Sequence, residues 1–302
     1  MKVGVNGAVR DFKAITCGIN GAVRQASELW IGVNGAVKKV WPTFPSVLND
    51  NTWEQISEAS SSGVAENIWE VGDRKHVTLN GTAGSLSLSN FSTYAFIIGF
   101  NHNSGREGSG RIHFQLAKTA ISGGTDICFT DGQYPNAGSL VAFRMNTSNT
   151  NSGGWEDSYM RNNICGTSKS TTSGRIMGAI PAELRNALKS VTKYTSNNGS
   201  SSASSAVTAT TDFFFLLSEY EVFGNIKYSN TYEANYQQQY AYYSAGNSKV
   251  KYRHNSTGSA ALWWLRSPYA GTSNFFVRVR ADGTVGSYYA NYSLGFAPGF
   301  CV

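Results

Sequence analysis

The sequence predicts an α+β protein: a mixed, mostly antiparallel sheet with two or more helices, preceded by a small β-hairpin repeat region. Three observations predict it. An Asn-Gly repeat opens the chain, short β-type runs recur between turn residues along the rest, and few segments carry a helical period. Charged residues make up only 15% of the 302 residues against 13% aromatics, a balance that suits a β-rich, loop-rich, extracellular type of surface over a real core.

The repeat comes first. VGVNGAVR from Val3, CGINGAVR from Cys17 and IGVNGAVK from Ile31 recur with a period of 14. Asn-Gly between β-branched residues is a strong hairpin signal, because both residues accept the positive φ of a type I′ turn. Three such hairpins bury too little to stand alone, so residues 1–42 are expected to be an oligomerisation or attachment stem. A small sheet packed on the main domain is nearly as good a reading. Trp41-Pro42-Thr43-Phe44-Pro45 then marks a boundary, which leaves 43–302 as the main domain.

A helix is expected over Asn51–Ser60, with Asn49, Asp50 and Asn51 as capping candidates and Trp53, Ile56 and Ala59 as its buried stripe. Strands are expected over Ile68–Val71, His76–Leu79, Ala95–Phe100 and the alternating Arg111–Ala117. Pro181–Thr192 reads as the clearest helix, with Leu184, Leu188 and Val191 on one face. Thr195–Thr211, rich in Ser, Thr and Asn, reads as a flexible loop. Asp212–Leu217 (DFFFLL) reads as a buried central strand, and Thr231–Tyr243 places tyrosines at helical spacing.

The chain's chemistry is sparse. A net charge of +6 is scattered along the sequence and reads as ordinary solubility charge, so no nucleic-acid partner is expected. Cys17, Cys128, Cys165 and Cys301 have no zinc-type spacing, and disulfides stay open. The start MKVGVNGAVR has no signal-peptide core, and no apolar run reaches the ~18 residues of a membrane span, so no membrane insertion is expected. A site outside the cell would then be reached by another route, such as release in a virion. His102 and His113 are positioned to approach each other, but no acid or Cys stands at ligand spacing around them, so no metal or other cofactor is expected. Glu219 and Glu221 fall in a buried-looking block, where bonding to the scaffold is the expected role. No GxSxG, HExxH, phosphate-binding loop or paired-carboxylate motif occurs, and no catalytic residue is assigned.

The most informative stretch is Leu262–Val302. An apolar start (Leu262, Trp263, Trp264, Leu265) and an apolar end (Phe296, Pro298, Phe300, Val302) bracket a middle of Tyr, Phe, Asn, Ser, Thr, Gly and two Arg. Tyr among small polar residues is the composition of binding loops. Val277–Arg280 alternates apolar and Arg, which puts both arginines on one strand face; Asp282-Gly283 supplies a turn; Gly286–Ala290 returns as a second strand. The expected ligand-binding face is Tyr269, Thr272, Ser273, Asn274, Phe275, Arg278, Arg280, Ser287, Tyr288, Tyr289, Asn291, Tyr292 and Ser293. Phe276, Trp263, Trp264, Leu265, Phe296 and Phe300 are assigned to the core.

In order along the chain stand TWEQISEASSSGVAENIWEVGDRKHVTLNG, IIGFNHN, FFLLSEYEVFG, LWWLRSP and GFAPGFCV. In these blocks, over roughly 43–302, the sequence resembles phage and prophage proteins of Gram-positive bacteria of the DUF6273 type, which carry a C-type-lectin-like domain. Some of these resemble the variable proteins of diversity-generating retroelements, in which adenines of a C-terminal coding segment are randomised. The resemblance implies a C-type-lectin-like fold and places the variable segment at 269–294. Randomised adenines of Asn codons cannot write Lys, Glu, Gln, Met or Trp. Segment 269–294 holds none of these five, though the chain has 41 of them; on composition alone that chance is roughly one in fifty.

The resemblance implies a receptor-binding or tail-associated adhesin of a phage, in the virion or outside the cell. Its partners would be a host cell-surface ligand, protein or glycan, and other tail proteins through the repeats. Analogy with tail fibres adds a homo-oligomer such as a trimer. The alternative is an invariant structural virion protein of the same fold. An enzyme of the formylglycine-generating type shares the broad fold but needs a reactive Cys pair whose context Cys128, Cys165 and Cys301 lack. The calcium-binding triplets of sugar-binding lectins are also absent.

Overall fold

The computed structural model describes residues 44–302 except 139–140, and within residues 1–43 the backbone of six short strands. Those strands pair antiparallel: β1 (Lys2–Val5) with β2 (Ala8–Asp11), β3 (Thr16–Ile19) with β4 (Ala22–Gln25), and β5 (Leu29–Val33) with β6 (Ala36–Trp41). The three Asn-Gly pairs themselves, and every side chain of this segment, lie outside the described residues. Residues 1–46 form one compact unit and 47–302 another.

The second unit is mixed α+β and mostly antiparallel. Its first helix, α1 (Trp53–Ser61), is capped by Thr52 rather than by the three residues before it. The Thr52 side chain accepts from Gln55 N while Gln55 Oε1 accepts from Thr52 N, a reciprocal capping box. Trp53, Ile56 and Ala59 are buried, as their spacing requires. Ile68–Val71 is not a strand: a 3-10 turn at Ala65–Asn67 carries the chain inward to bury Trp69.

Next come the long strands β7 (Arg74–Ala83) and β8 (Leu86–Phe100), a short α2 (Ser104–Glu107) and β9 (Ile112–Lys118). The alternation expected around Arg111–Ala117 does not produce a half-wet strand. All of β9 is buried, because it lies inside a sheet covered on both faces. β10 (Ile127–Cys128) is followed by a π-helical turn at Met160–Cys165 and by α3 (Ile176–Ala179). The helix expected over Pro181–Thr192 is only α4 (Ala182–Ala187): Leu188 turns extended, and Val191 opens β11 (Val191–Ser196). Of the expected loop Thr195–Thr211, residues 197–206 connect two strands, while its first two residues end β11 and its last five enter the other arm of a hairpin. β12 (Val207–Asp212) pairs with β11 from Asp212↔Val191 to Val207↔Ser196.

DFFFLL supplies β13 (Phe214–Phe215), at the edge of its sheet and not at its centre. The Tyr/Gln segment is not one helix. It makes a 3-10 turn over Thr231–Asn235 after α5 (Glu219–Phe223), then α6 (Ala241–Ser244), with Tyr240, Tyr242 and Tyr243 buried and Tyr232 exposed. The chain closes with β14 (Lys251–Arg253), β15 (Ser256–Ala261), β16 (Trp263–Pro268), β17 (Phe275–Val279), β18 (Val285–Tyr289) and β19 (Gly299–Cys301).

The main sheet runs β13-β19-β9-β8-β7, antiparallel throughout. The last strand of the chain therefore sits inside it. Phe300 pairs with Phe114 and Phe214, stacks on Phe114 at 5.3 Å and meets the edge of Trp53. Gly299 has to be Gly: a Cβ there would lie 2.7 Å from the Phe215 ring. A second sheet, β16-β17-β18, carries the segment of interest, and β10-β14-β15 forms a third. Trp263, Trp264, Leu265, Phe296, Phe300 and Phe276 are all fully buried, each aromatic contributing roughly 1.5–3 kcal/mol. Among the described residues no helix is long and apolar enough to cross a membrane.

Candidate ligand-binding face

The face stands on a buried web of charge. Arg266, in the middle of β16, is fully buried and spends every nitrogen. Nη2 donates to Glu221 Oε1 at 2.9 Å and Nη1 to Glu221 Oε2; Nε donates to Thr195 Oγ1 at 2.9 Å. Glu221 also closes the capping box of α5, with Oε2 accepting from Ser218 N. Lys193, from β11, donates to Glu107 Oε2 at 2.7 Å, Glu221 Oε1 at 3.0 Å and the Tyr240 hydroxyl at 2.8 Å. Burial disfavours ionised Glu221, but Arg266 and Lys193 outweigh it and hold the carboxyl well below its usual range. Glu107, which accepts from Lys193 and from Asn103 Nδ2, is pushed up to about 7 by burial.

His102 and His113 do approach, with ring centroids 5.5 Å apart. His102 stacks on Tyr240 at 3.8 Å, and burial followed by the charge of Lys193 pulls it down to about 3. Among the described residues one set of metal-type ligands comes together: His102, Glu107 and Glu221, with ligand atoms within 4.8 Å of one another. The Lys193 ammonium is bonded to both carboxylates of that set, so the positive charge the site calls for is already supplied by the chain. Cys128, Cys165 and Cys301 are free and buried, and burial raises the thiol of Cys128 to about 12, far from a reactive thiolate.

Above this web the chain between β16 and β17 is fixed by one side chain. Asn151 is buried, and its Nδ2 lies 3.1 Å from Tyr269 O, 2.7 Å from Thr272 O and 2.9 Å from Phe275 O; its backbone N donates to Ser273 O. Glu219 performs the same service for the neighbouring loop, accepting from Lys227 N, Tyr228 N and Ser229 N. The sequence reading missed both Asn151 and Tyr228, because their roles depend on partners far along the chain.

The hairpin is built as expected, with the five residues 280–284 joining β17 to β18. Arg280 N donates to Thr284 O, Gly283 N to Arg280 O, and Gly283 takes φ +84°. Phe275 pairs with Tyr289, Phe276 with Tyr288 and Arg278 with Gly286. Paired residues share a face and neighbours alternate. Tyr288 therefore lies on the side of Arg278, and Tyr289 on the side of Phe275. Since β18 is the sheet edge, both sides reach the surface there. Tyr292 lies 5.0 Å from Tyr288 and 5.8 Å from Tyr289, joining the two sides around the edge.

The result is a continuous run of rings. Tyr228 meets Tyr269 at 5.3 Å, Tyr269 meets Phe275 at 6.4 Å, Phe275 meets Tyr289 at 4.6 Å, and Tyr292 leads on to Tyr288, over which Arg278 lies at 4.9 Å. Tyr289 is 40% exposed; Tyr269, Phe275, Tyr288, Tyr292 and Arg278 are half-buried. Ser273 and Arg280 are exposed, and the Arg280 stem crosses Gly286, where a Cβ would come within 2.8 Å of its Nε. Thr272, Asn274, Ser287 and Asn291 are half-buried. Thr272 Oγ1 bonds Asn274 Oδ1, Asn274 O accepts from Ala290 N, and Ser287 O accepts from Arg278 Nε.

Ser293 is a correction. It is fully buried, because its backbone N donates to Asn136 O where Tyr292 bridges Ala137, and this draws the chain inward. Residues 136–137 and 143–146 thus flank the edge, and sequence reasoning did not place them there. Beyond Asn146, whose N donates to Ala290 O, lies a shallow polar hollow of about 330 Å³ lined by Thr147, Ser148, Thr150, Asp157 and Tyr159. A larger groove of about 1300 Å³ runs between α1, β7 and α4, lined by Asp50, Glu54, Glu58, Glu183 and Lys75. None of the face residues lines it, so size alone does not mark the site.

Fold and face together define a class: an α+β domain that braces an aromatic sheet edge from beneath with buried charge. The chain belongs to the DUF6273 family, whose model, described as Domain of unknown function (DUF6273), matches residues 139–302. That span holds the whole aromatic edge and both blocks that bracket it, and is shorter than the 43–302 over which the resemblance was read. No curated protein and no solved structure matches the chain.

Proposed function

We propose that this protein is a recognition module and not an enzyme: a phage receptor-binding or tail-associated adhesin that presents segment 269–292 on a C-type-lectin-like fold. The observation that carries this reading is the unbroken run of rings from Tyr228 to Tyr288 around the free edge of β18, braced by Asn151 and Arg266. Aromatic side chains and Arg dominate binding hot spots, and a rigid platform spares the entropy of ordering them. The ligand is a protein or glycan on the host surface. Residues 1–42 serve attachment to other tail proteins or oligomerisation, and the protein acts in the virion or outside the cell.

Replacing Tyr288, Tyr289 and Tyr292 together with Ala tests the face. Attachment to host cells should fall by about tenfold or more while the melting temperature changes little. Equal loss of stability and attachment would assign the rings to the core.

Diversification by a retroelement is part of the same proposal and makes a sharper demand. Phe276, Val277, Val279, Ala290, Ser293 and Leu294 are fully buried within the segment. A second DNA copy of this region beside a reverse transcriptase gene should differ at adenines for Tyr269, Ser273, Tyr289 and their exposed neighbours, and stay fixed at the buried six. The absence of such a copy leaves an invariant adhesin.

A further inference from the structure

β7 is an edge of the main sheet that the rest of the chain closes only in part. His76 N donates to Asn49 Oδ1 at 2.8 Å, so it points away from β8, and the Asn49 amide stands where the carbonyl of a next strand would stand. In an antiparallel pair the outward-facing residues recur at every second position. Thr78, opposite Ser92, therefore turns its own N–H and C=O outward as well. Among the described residues neither group has a partner on that side. Farther along, α3 covers the edge so closely that a Cβ on Gly81 would meet Ala179 Cα at 3.2 Å. Chains normally cover, twist or blunt such an edge, because its free backbone groups are a template for another strand.

The open stretch, His76 to Thr78, lines the groove of about 1300 Å³ that runs between α1 and α4. The groove is acidic. Glu54 and Glu58 stand one turn apart on α1, Glu183 is on α4, and Asp50 precedes α1. All four are exposed, and among the described residues none of them is ion-paired. Lys75, the one Lys or Arg of the lining, is turned aside: its ammonium lies 5.9 Å from the Trp53 ring and donates to Asn49 O at 3.0 Å. The chain as a whole carries +6, so the groove reverses the sign of the molecule locally. A basic partner is repelled by the net charge and drawn only here.

We propose that this groove takes a short basic segment of a partner protein, which adds to β7 as a further strand of the main sheet. Thr78 supplies the backbone hydrogen bonds that give such a contact its affinity. Alternate side chains of the segment turn toward α1 and α4, so Lys or Arg at every second residue meets Glu54, Glu58 and Glu183. None of the lining residues belongs to the aromatic edge, so this second contact goes beyond the reading of 269–292 and is tested apart from it.

The test uses the full chain and labelled peptides, read by fluorescence anisotropy. The probe is Lys-Val-Lys-Val-Lys-Val; the controls carry Glu in place of Lys, or the same residues with all Lys run together. The alternating Lys peptide should bind about tenfold or more tighter than either control. Glu58→Lys combined with Glu183→Gln, both at exposed positions, should weaken it by about tenfold while the melting temperature holds. Hydrogen exchange of the Thr78 amide in the unaltered chain should slow when the peptide saturates, a readout that needs no variant to fold. Binding that leaves Thr78 exchange unchanged, or equal binding of the run-together peptide, is loose charge attraction and overturns the added strand. No binding of any peptide overturns the groove as a docking site. Self-association of the chain that the same double variant abolishes gives the groove to a second copy and overturns the partner.

Discussion

Arg266 and Arg278 sit on adjacent strands of one small sheet and have opposite fates. Arg266 is fully buried, with Nε, Nη1 and Nη2 all bonded and Glu221 gripping it at both ends of the fork. Arg278 is half-buried over a tyrosine ring, with one nitrogen unpartnered. The difference lies in what the surrounding chain supplies. α5 and β11 bring Glu221 and Thr195 under β16, while β18 is an edge that offers Arg278 only Ser287 O and ring faces. One arginine is spent on holding the sheet; the other is left with binding capacity.

The comparison breaks most readily at Arg266. Removing its charge leaves Glu221 facing Lys193 alone in a dry interior, and orphaning one member of a buried pair costs about 3–5 kcal/mol. Arg266→Met should lose that much in urea unfolding, with collapse of the aromatic edge. A loss under about 1 kcal/mol would mean that Lys193 suffices and that β16 is held by packing.

A middle-sized effect should appear with pH. Glu233 lies beneath the same strand and accepts from Ser267 Oγ at 2.7 Å and Ser196 N at 3.0 Å, yet burial pushes it up to about 7. A carboxyl whose folded pKa exceeds its ordinary value of 4.5 binds the proton more tightly when folded. Its stabilising contribution is therefore whole below the unfolded value and lost as pH rises through about 7. Glu107 runs the same way, and His102, lowered to about 3, runs the opposite way. The difference between wild type and Glu233→Gln isolates Glu233. From pH 5 to pH 8 the variant should gain about 2 kcal/mol relative to wild type. Parallel stability–pH curves would show that Glu233 stays ionised throughout.

The same contrast decides what could be read from sequence. Local pattern revealed α1, the β17–β18 hairpin and the buried aromatics of LWWLRSP and GFAPGFCV, since period and turn chemistry are carried by neighbouring residues. Thr195–Thr211 reads as loop throughout because the strand that takes its last five residues is made of small, mostly polar ones, and its pairing with β11 leaves Thr208, Ala209 and Thr211 exposed. The long helix from Pro181 was misread because Val191, on its apolar stripe, is claimed by the β11 strand. The bond from Arg266 to Glu221 spans 45 residues, and nothing near either residue announces it. The opposite facing of Tyr288 and Tyr289 was within reach of strand period alone. The edge position that exposes both was not.

The smallest effect sharpens the comparison furthest. Tyr289 is among the most exposed large side chains described, and it touches Phe275, Tyr288 and Tyr292, themselves half-buried. Truncating it removes ring contacts on one side and opens no sealed cavity. Tyr289→Ser should change unfolding free energy by no more than about 0.5 kcal/mol, as for a surface position free of caps and buried pairs. Serine is also one of the residues that adenine randomisation of an Asn codon can write, so under the proposed diversification the variant stands for a differently written copy. If Tyr289→Ser costs as much as a core truncation, about 3 kcal/mol, then the edge is part of the fold. A segment that bears such loads cannot be rewritten freely, and the contrast between Arg266 and Arg278 would no longer separate scaffold from binding face.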